Sequence, residues 1–174
     1  ATTDVQIEAV ASGRLDVGFV HPPVEHPELD YRPVHREPLV LALPERHRLA
    51  QRAGEVRLRD VAEDAFVLFP RPYSPGLYDD VVSFCRSVGF SPRVEQEAVQ
   101  MQTIISLVSA EVGVALIPAS LMNLGRTGVV YRPLAESGPL TELGVVWRRN
   151  DPLATLRLFL EVTGALGVAG SVTA

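Results

Sequence analysis

Lysine is missing from this 174-residue chain, so all 16 basic residues are arginine. The absence has no evident mechanical purpose and reads as a bias of genome composition. Cysteine occurs once, at Cys85. That excludes an internal disulfide and points to a reducing, cytoplasmic setting. No apolar run approaches the roughly 18 residues of a membrane span, so no membrane partner is expected. The first dozen residues are polar with helical spacing and do not form a secretory signal. A start directly at a helix cap leads us to expect that something upstream lies outside this sequence. Excess positive charge is lacking as well. With 21 acidic residues the net charge is −5, which argues against this segment gripping a phosphate backbone itself. A P-loop is missing, and the glycines from Gly13 to Gly18 fall short of G-x-G-x-x-G.

What is present is apolar substance and a repeated phrase. The chain is 47% hydrophobic with a mean hydropathy of +0.15. That is enough for one ordinary domain, or for two small lobes that share strands. The phrase is a capped amphipathic helix, a glycine turn and a short apolar strand. Its first copy runs from Thr2 to Val20 and closes on Gly13-Arg14-Leu15-Asp16-Val17-Gly18-Phe19; its second runs from Gln100 to Ser120 through Gly113-Val114-Ala115-Leu116-Ile117-Pro118. A helix start carries free N–H groups and about half a positive charge. Two such starts on facing lobes are expected to hold a small anion between them, which indicates binding more than catalysis.

Spacing assigns most elements. Thr2 and Thr3 are N-cap candidates, with Gln6 placed for a capping box to Thr3. Ile7, Val10 and Ala11 form the buried face of that helix, and Leu15–Val20 a buried strand. Two strands are expected at Leu29–Val34 and Leu39–Leu43, a short helix at Leu58–Glu63, a strand at Phe66–Phe69 and a proline-rich loop over 70–76. Leu77, Val81, Phe84, Cys85 and Val88 mark a helix face stopped by Gly89. Val94–Ala98 is a strand, Met101 to Val108 a helix, and Val114–Ile117, Val129–Leu134 and Leu143–Trp147 are strands. Asn150-Asp151-Pro152 suggests a cap with proline at the first helical position, followed by an amphipathic helix and a frayed tail beyond Gly167. Alternating helices and strands imply an α/β fold with a mostly parallel sheet.

No catalytic set assembles from these residues. His21, His26, His35 and Glu25 fit no usual metal spacing, so no metal and no cofactor are expected. Cys85 lies on an apolar helix face, where an inert core cysteine belongs. Ser74 lacks the strand–elbow–helix context of a hydrolase nucleophile. Asp16 reads as a turn residue. The chain is not expected to be an enzyme.

These residues resemble the effector-binding domain of LysR-type transcriptional regulators over nearly the whole chain. The likeness rests on Gly13–Phe19, on Glu37-Pro38-Leu39-Val40-Leu41-Ala42-Leu43-Pro44 with His47 and Leu49-Ala50, and on Leu107-Val108 through Pro118. Within that family, Leu68-Phe69-Pro70, Gly89-Phe90-Ser91-Pro92 and Gln100-Met101-Gln102 look most like the regulators of aromatic-compound degradation. The resemblance implies two Rossmann-like lobes of the type II periplasmic-binding-protein kind, joined by crossing strands. Lobe I would be residues 1–36 and 142–174, and lobe II residues 37–141.

The resemblance also places an effector in the interlobe cleft. Thr2 and Thr3 match a cap that donates to an effector carboxylate, and His21 stands where muconate-responsive relatives carry arginine. Pro75 and Leu77 match residues lining the pocket from the loop after Phe69-Pro70, Gln100 and Met101 stand at the second helix start, and Leu77, Phe69 and Met101 would cover the effector's apolar part. The winged helix-turn-helix and the first strand of lobe I are missing from this sequence. The expected function is sensing of a small anionic or aromatic metabolite by a homodimer or tetramer. DNA and RNA polymerase would be partners only of the full-length protein. The alternatives are a transporter's solute-binding protein and a small α/β enzyme using Cys85 or His21.

Overall fold

Apolar patterning and turn residues together place each element in a computed structural model that describes residues 1–166. In chain order these are α1 (Thr3–Ala11), β1 (Val17–Val20), β2 (Leu29–Pro44), β3 (Ala65–Leu68), α2 (Pro75–Ser87), β4 (Arg93–Glu97), α3 (Met101–Ser109), β5 (Ala115–Pro118), β6 (Val129–Arg132), β7 (Leu140–Arg148) and α4 (Ala154–Leu166). Contacts divide the chain into two compact units. One comprises Ala1–Arg36 with the chain from Glu142 onward; the other is Glu37–Thr141. β2 and β7 each supply residues to both.

In the unit Glu37–Thr141, β3, α2 and β4 form a parallel crossover, with Ala65 opposite Arg93 and Leu68 opposite Glu97. α3 then leads to β5, and a parallel bridge between Phe66 and Val114 brings β5 beside β3. On the other side, β2 pairs antiparallel with β5 and with β6. Leu41, Leu43, Phe66, Leu68, Ile104, Ile105, Leu116 and Ile117 are fully buried together. Each such side chain contributes roughly 1.5–3 kcal/mol relative to exposure, which is why the unbroken apolar run of β2 lies at the centre. Gly113 permits the close approach of α3–β5 to β3. A Cβ there would sit 2.5 Å from the carbonyl oxygen of Ala65.

In the other unit, α1 packs on β1, and Val10, Val20, Leu29 and Val146 form a small core. β1 runs antiparallel to β7, from Val17 opposite Trp147 to Val20 opposite Gly144. Arg148 ties these pieces together. Its Nη1 donates to the carbonyls of Val10 (2.8 Å) and Leu15 (2.6 Å), and its Nη2 reaches Asp151 (2.5 Å) and Asp16 (3.2 Å).

The fold is the expected two-unit α/β type, but several local expectations are corrected. The sheet is not mostly parallel: β1–β7, β2–β5 and β2–β6 are antiparallel, and parallel pairing among the described residues joins β3 to β4 and forms the isolated Phe66–Val114 and Val56–Leu134 bridges. Parallel neighbours need a crossover element, and among the described residues an α-helix stands between successive strands only along β3–α2–β4–α3–β5. The two strands expected around residues 29–43 are one strand, Leu29–Pro44, which continues through Pro33 and Pro38. Proline's fixed φ is compatible with extended backbone where no N–H is required. Within the expected loop 70–76, Arg71–Tyr73 forms a 3-10 turn and Pro75 already opens α2.

Pro152 does not begin the last helix, which starts at Ala154. Asn150 adopts φ 60°, and Asp151 Oδ1 accepts from the Leu153 N–H at 3.0 Å, so this stretch is a turn before the helix. At the first helix the N-cap is Thr2 with no side-chain cap bond, and Gln6 forms no capping box. The tail expected beyond Gly167 lies outside the described residues.

Candidate functional site

On the first unit, the start of α1 lies beside the end of β1. Thr3 Oγ1 accepts from the His21 backbone N–H at 3.4 Å. A side-chain hydrogen bond from Thr2 holds the Asp4 carboxyl below its usual range. Ahead of the cis Pro22–Pro23 bond, the His21 ring is anchored with Nδ1 2.7 Å from the Glu142 carbonyl oxygen. Because a carbonyl only accepts, Nδ1 carries the proton.

Glu142 is itself clamped. Its carboxylate accepts from Tyr31 Oη at 2.9 Å and from Arg36 Nε at 2.7 Å, with Arg36 Nη2 also at 2.7 Å. Burial, and then the adjacent Glu142 carboxylate, push the Tyr31 phenol up from its ordinary value. Tyr31 lies over Gly144, where the absence of a Cβ leaves room for its ring.

On the second unit, Gln100 is the N-cap of α3 and is exposed, with no side-chain cap bond. Its carbonyl accepts from the N–H groups of Thr103 (2.9 Å) and Ile104 (3.0 Å). Met101 follows as the first helical residue, half-buried against the core. Pro75 is exposed at the start of α2. Phe69 and Leu77 are 3% and 4% exposed, both within the main core, and the Phe69 ring meets Tyr78 edge-on at 6.5 Å. Sequence position thus brings Thr3 and His21 together on one unit, and groups Gln100 with Met101 on the other. Phe69 and Leu77 chiefly pack the interior.

Cys85 is buried, and desolvation pushes its thiol up to about 12. A thiol so protonated is no nucleophile at neutral pH. Among the described residues, no group of three or more His, Cys, Asp or Glu side chains is placed to hold a metal. No helix among them is long and apolar enough to cross a membrane.

Two positioning residues escaped the sequence reading. Gln6 has a capping-box spacing, but its carboxamide spans to Phe19 instead. Glu142 lies 121 residues from the ring it anchors, and nothing in its local sequence marks it.

The architecture is the mixed α/β, type II periplasmic-binding-protein-like fold of regulator effector-binding domains. Residues 1–166 match the family model described as the LysR substrate binding domain, and the chain belongs to that family. It is 41% identical over 172 residues to the HTH-type transcriptional regulator IlvR of Caulobacter vibrioides, covering 97% of this chain and 57% of the relative. It is 35% identical over 150 residues to the HTH-type transcriptional regulator CatR of Pseudomonas putida, covering 86% of this chain and 51% of that one. The chain thus spans little more than half the length of these curated relatives. Among solved structures, the BenM effector binding domain with its effector benzoate superposes with a TM-score of 0.81 at 23% identity, over 100% of this chain and 79% of that one.

Proposed function

We propose that this chain is the effector-sensing part of a cytoplasmic LysR-type transcription regulator and not an enzyme. In that reading residues 1–36 and 142–174 form lobe I, residues 37–141 form lobe II, and the ligand is a small anionic or aromatic metabolite. The observation that carries it is 41% identity to a transcriptional regulator over almost the whole chain. The unactivated thiol of Cys85 favours it over the enzyme alternative, and the regulator names of the relatives favour it over a transporter's solute-binding protein.

The ligand's acidic group would be held by the threonine hydroxyls and backbone N–H groups of the α1 start at Thr2 and Thr3 and of the α3 start at Gln100, with His21 beside the first and Met101 covering the apolar part. Pro75, with the loop after Phe69 and the backbone near Leu77, would line the apolar part. An aromatic acid is supported by the likeness to a benzoate-bound domain and by the kinship with CatR. Binding shifts the protein only as far as it favours one conformation over another. The readout would pass through a dimer or tetramer to DNA and RNA polymerase in the full-length protein.

Thermal-shift screening against aromatic acids and short dicarboxylates tests this. Saturable stabilisation is expected, weakened in Thr3→Ala and Gln100→Ala. Unchanged affinity in both variants would sink the proposed site.

A further inference from the structure

The state of His21 specifies the ligand more narrowly than its charge does. Nδ1 is committed to the Glu142 carbonyl at 2.7 Å. That carbonyl is not free to turn away. The Glu142 side chain is held by Tyr31 and Arg36, and the Val20–Gly144 pair lies next along β1 and β7. The backbone N–H of His21 is occupied by Thr3 Oγ1. In the neutral form of the ring this leaves Nε2 with a lone pair and no proton, which is an acceptor. A carboxylate oxygen placed there would meet lone pair with lone pair. A hydroxyl there would donate.

We infer that the ligand is a hydroxylated carboxylic acid, whose hydroxyl donates to Nε2 of His21 while its carboxylate is held elsewhere in the site. This rests on the acid-binding reading above and adds to it a donor that the ligand must carry. An arginine at this position would demand the reverse, an acceptor on the ligand. The chemistry defines the class and leaves open whether the carbon frame is aromatic or aliphatic.

Isothermal titration near pH 8.5, above the ordinary imidazole range, should compare benzoate with its three monohydroxy derivatives and propionate with lactate. At least one hydroxylated acid should bind roughly tenfold more tightly than its parent, the worth of one well-made hydrogen bond in a site built to receive it. His21→Phe should abolish that advantage, so that parent and hydroxylated acids bind the variant equally. Equal binding of parent and hydroxylated acids by the unaltered chain overturns the inference and leaves the acid-binding reading intact. A hydroxyl preference that survives in His21→Phe overturns it too. If none of the acids binds, both fall. Nitrogen-15 long-range correlation spectra of the unaltered, ligand-free protein provide a check that does not depend on the variant's folding. The proton is expected on Nδ1 of His21, and finding it on Nε2 overturns the inference.

Discussion

Gln6 and Phe19 are joined as if they were neighbouring strands. The Gln6 carboxamide donates to the Phe19 carbonyl at 2.8 Å and accepts from its N–H at 3.0 Å. One side chain therefore satisfies both backbone groups that an additional strand would otherwise take up at this residue, 13 positions away. Gln6→Ala should lower stability by about 1 kcal/mol, toward the lower end because the bonds are partly solvated. Urea denaturation measures this. An unchanged midpoint would show that water replaces the carboxamide without loss.

Gly113→Ala should be worse. The added methyl would lie 2.5 Å from the Ala65 carbonyl oxygen and 2.9 Å from its carbon, both backbone atoms. The Val114 N–H donates to that same oxygen at 2.8 Å. Relief requires β3 and β5 to part, which overpacking data put at about 1–3 kcal/mol. A calorimetric melting temperature equal to that of the unaltered chain would contradict the close approach.

Arg148→Ala removes four bonds at once, two of them to carbonyls at the C-terminal end of α1 and the turn beyond it. The expected loss is about 2–3 kcal/mol. Arg148→Lys should recover only part of it, because one ammonium cannot reach all four acceptors as a planar fork does. Full rescue by lysine in guanidinium melts would mean that charge alone matters.

Alkaline pH should destabilise the protein through Cys85 and Tyr31. Burial raises both groups in the folded state, Cys85 to about 12. Above about pH 9 the unfolded thiol ionises while the folded one stays protonated, and the phenol follows above about pH 10. The stability from these raised groups is therefore fully present below those unfolded values. It declines as pH rises toward the folded ones. Cys85→Ala and Tyr31→Phe should each flatten this decline in denaturation curves between pH 8 and 11; identical slopes would exclude these groups as its source.

Helical spacing carried most of the legible fold. Leu77, Val81, Phe84 and Cys85 lie on the buried side of α2, and Ile104, Ile105 and Val108 on that of α3, as their intervals require. Strand direction was not legible, because an apolar run such as Val129–Arg132 reads the same either way. Pro38 suggested a break where the extended backbone accommodates it. For the candidate site, the helix starts at Thr2 and Gln100 could be located from caps and turns. The tautomer of His21 could not, because a residue 121 positions away decides it. Nor could the sequence tell whether Phe69 and Leu77 wall a pocket or fill the core, because the apolar pattern is the same for both.

The seclusion of the one thiol makes this chain a convenient object for spectroscopy. Cys85 has no exposed surface and a thiol raised to about 12, so maleimide at neutral pH would pass it by. A cysteine introduced at an exposed position such as Gln102 or Ser120 would become the sole conjugation point without deletion of the native one. With no lysine side chains to compete, a single fluorophore or spin label could then be attached homogeneously, and ligand-induced motion followed from that one address.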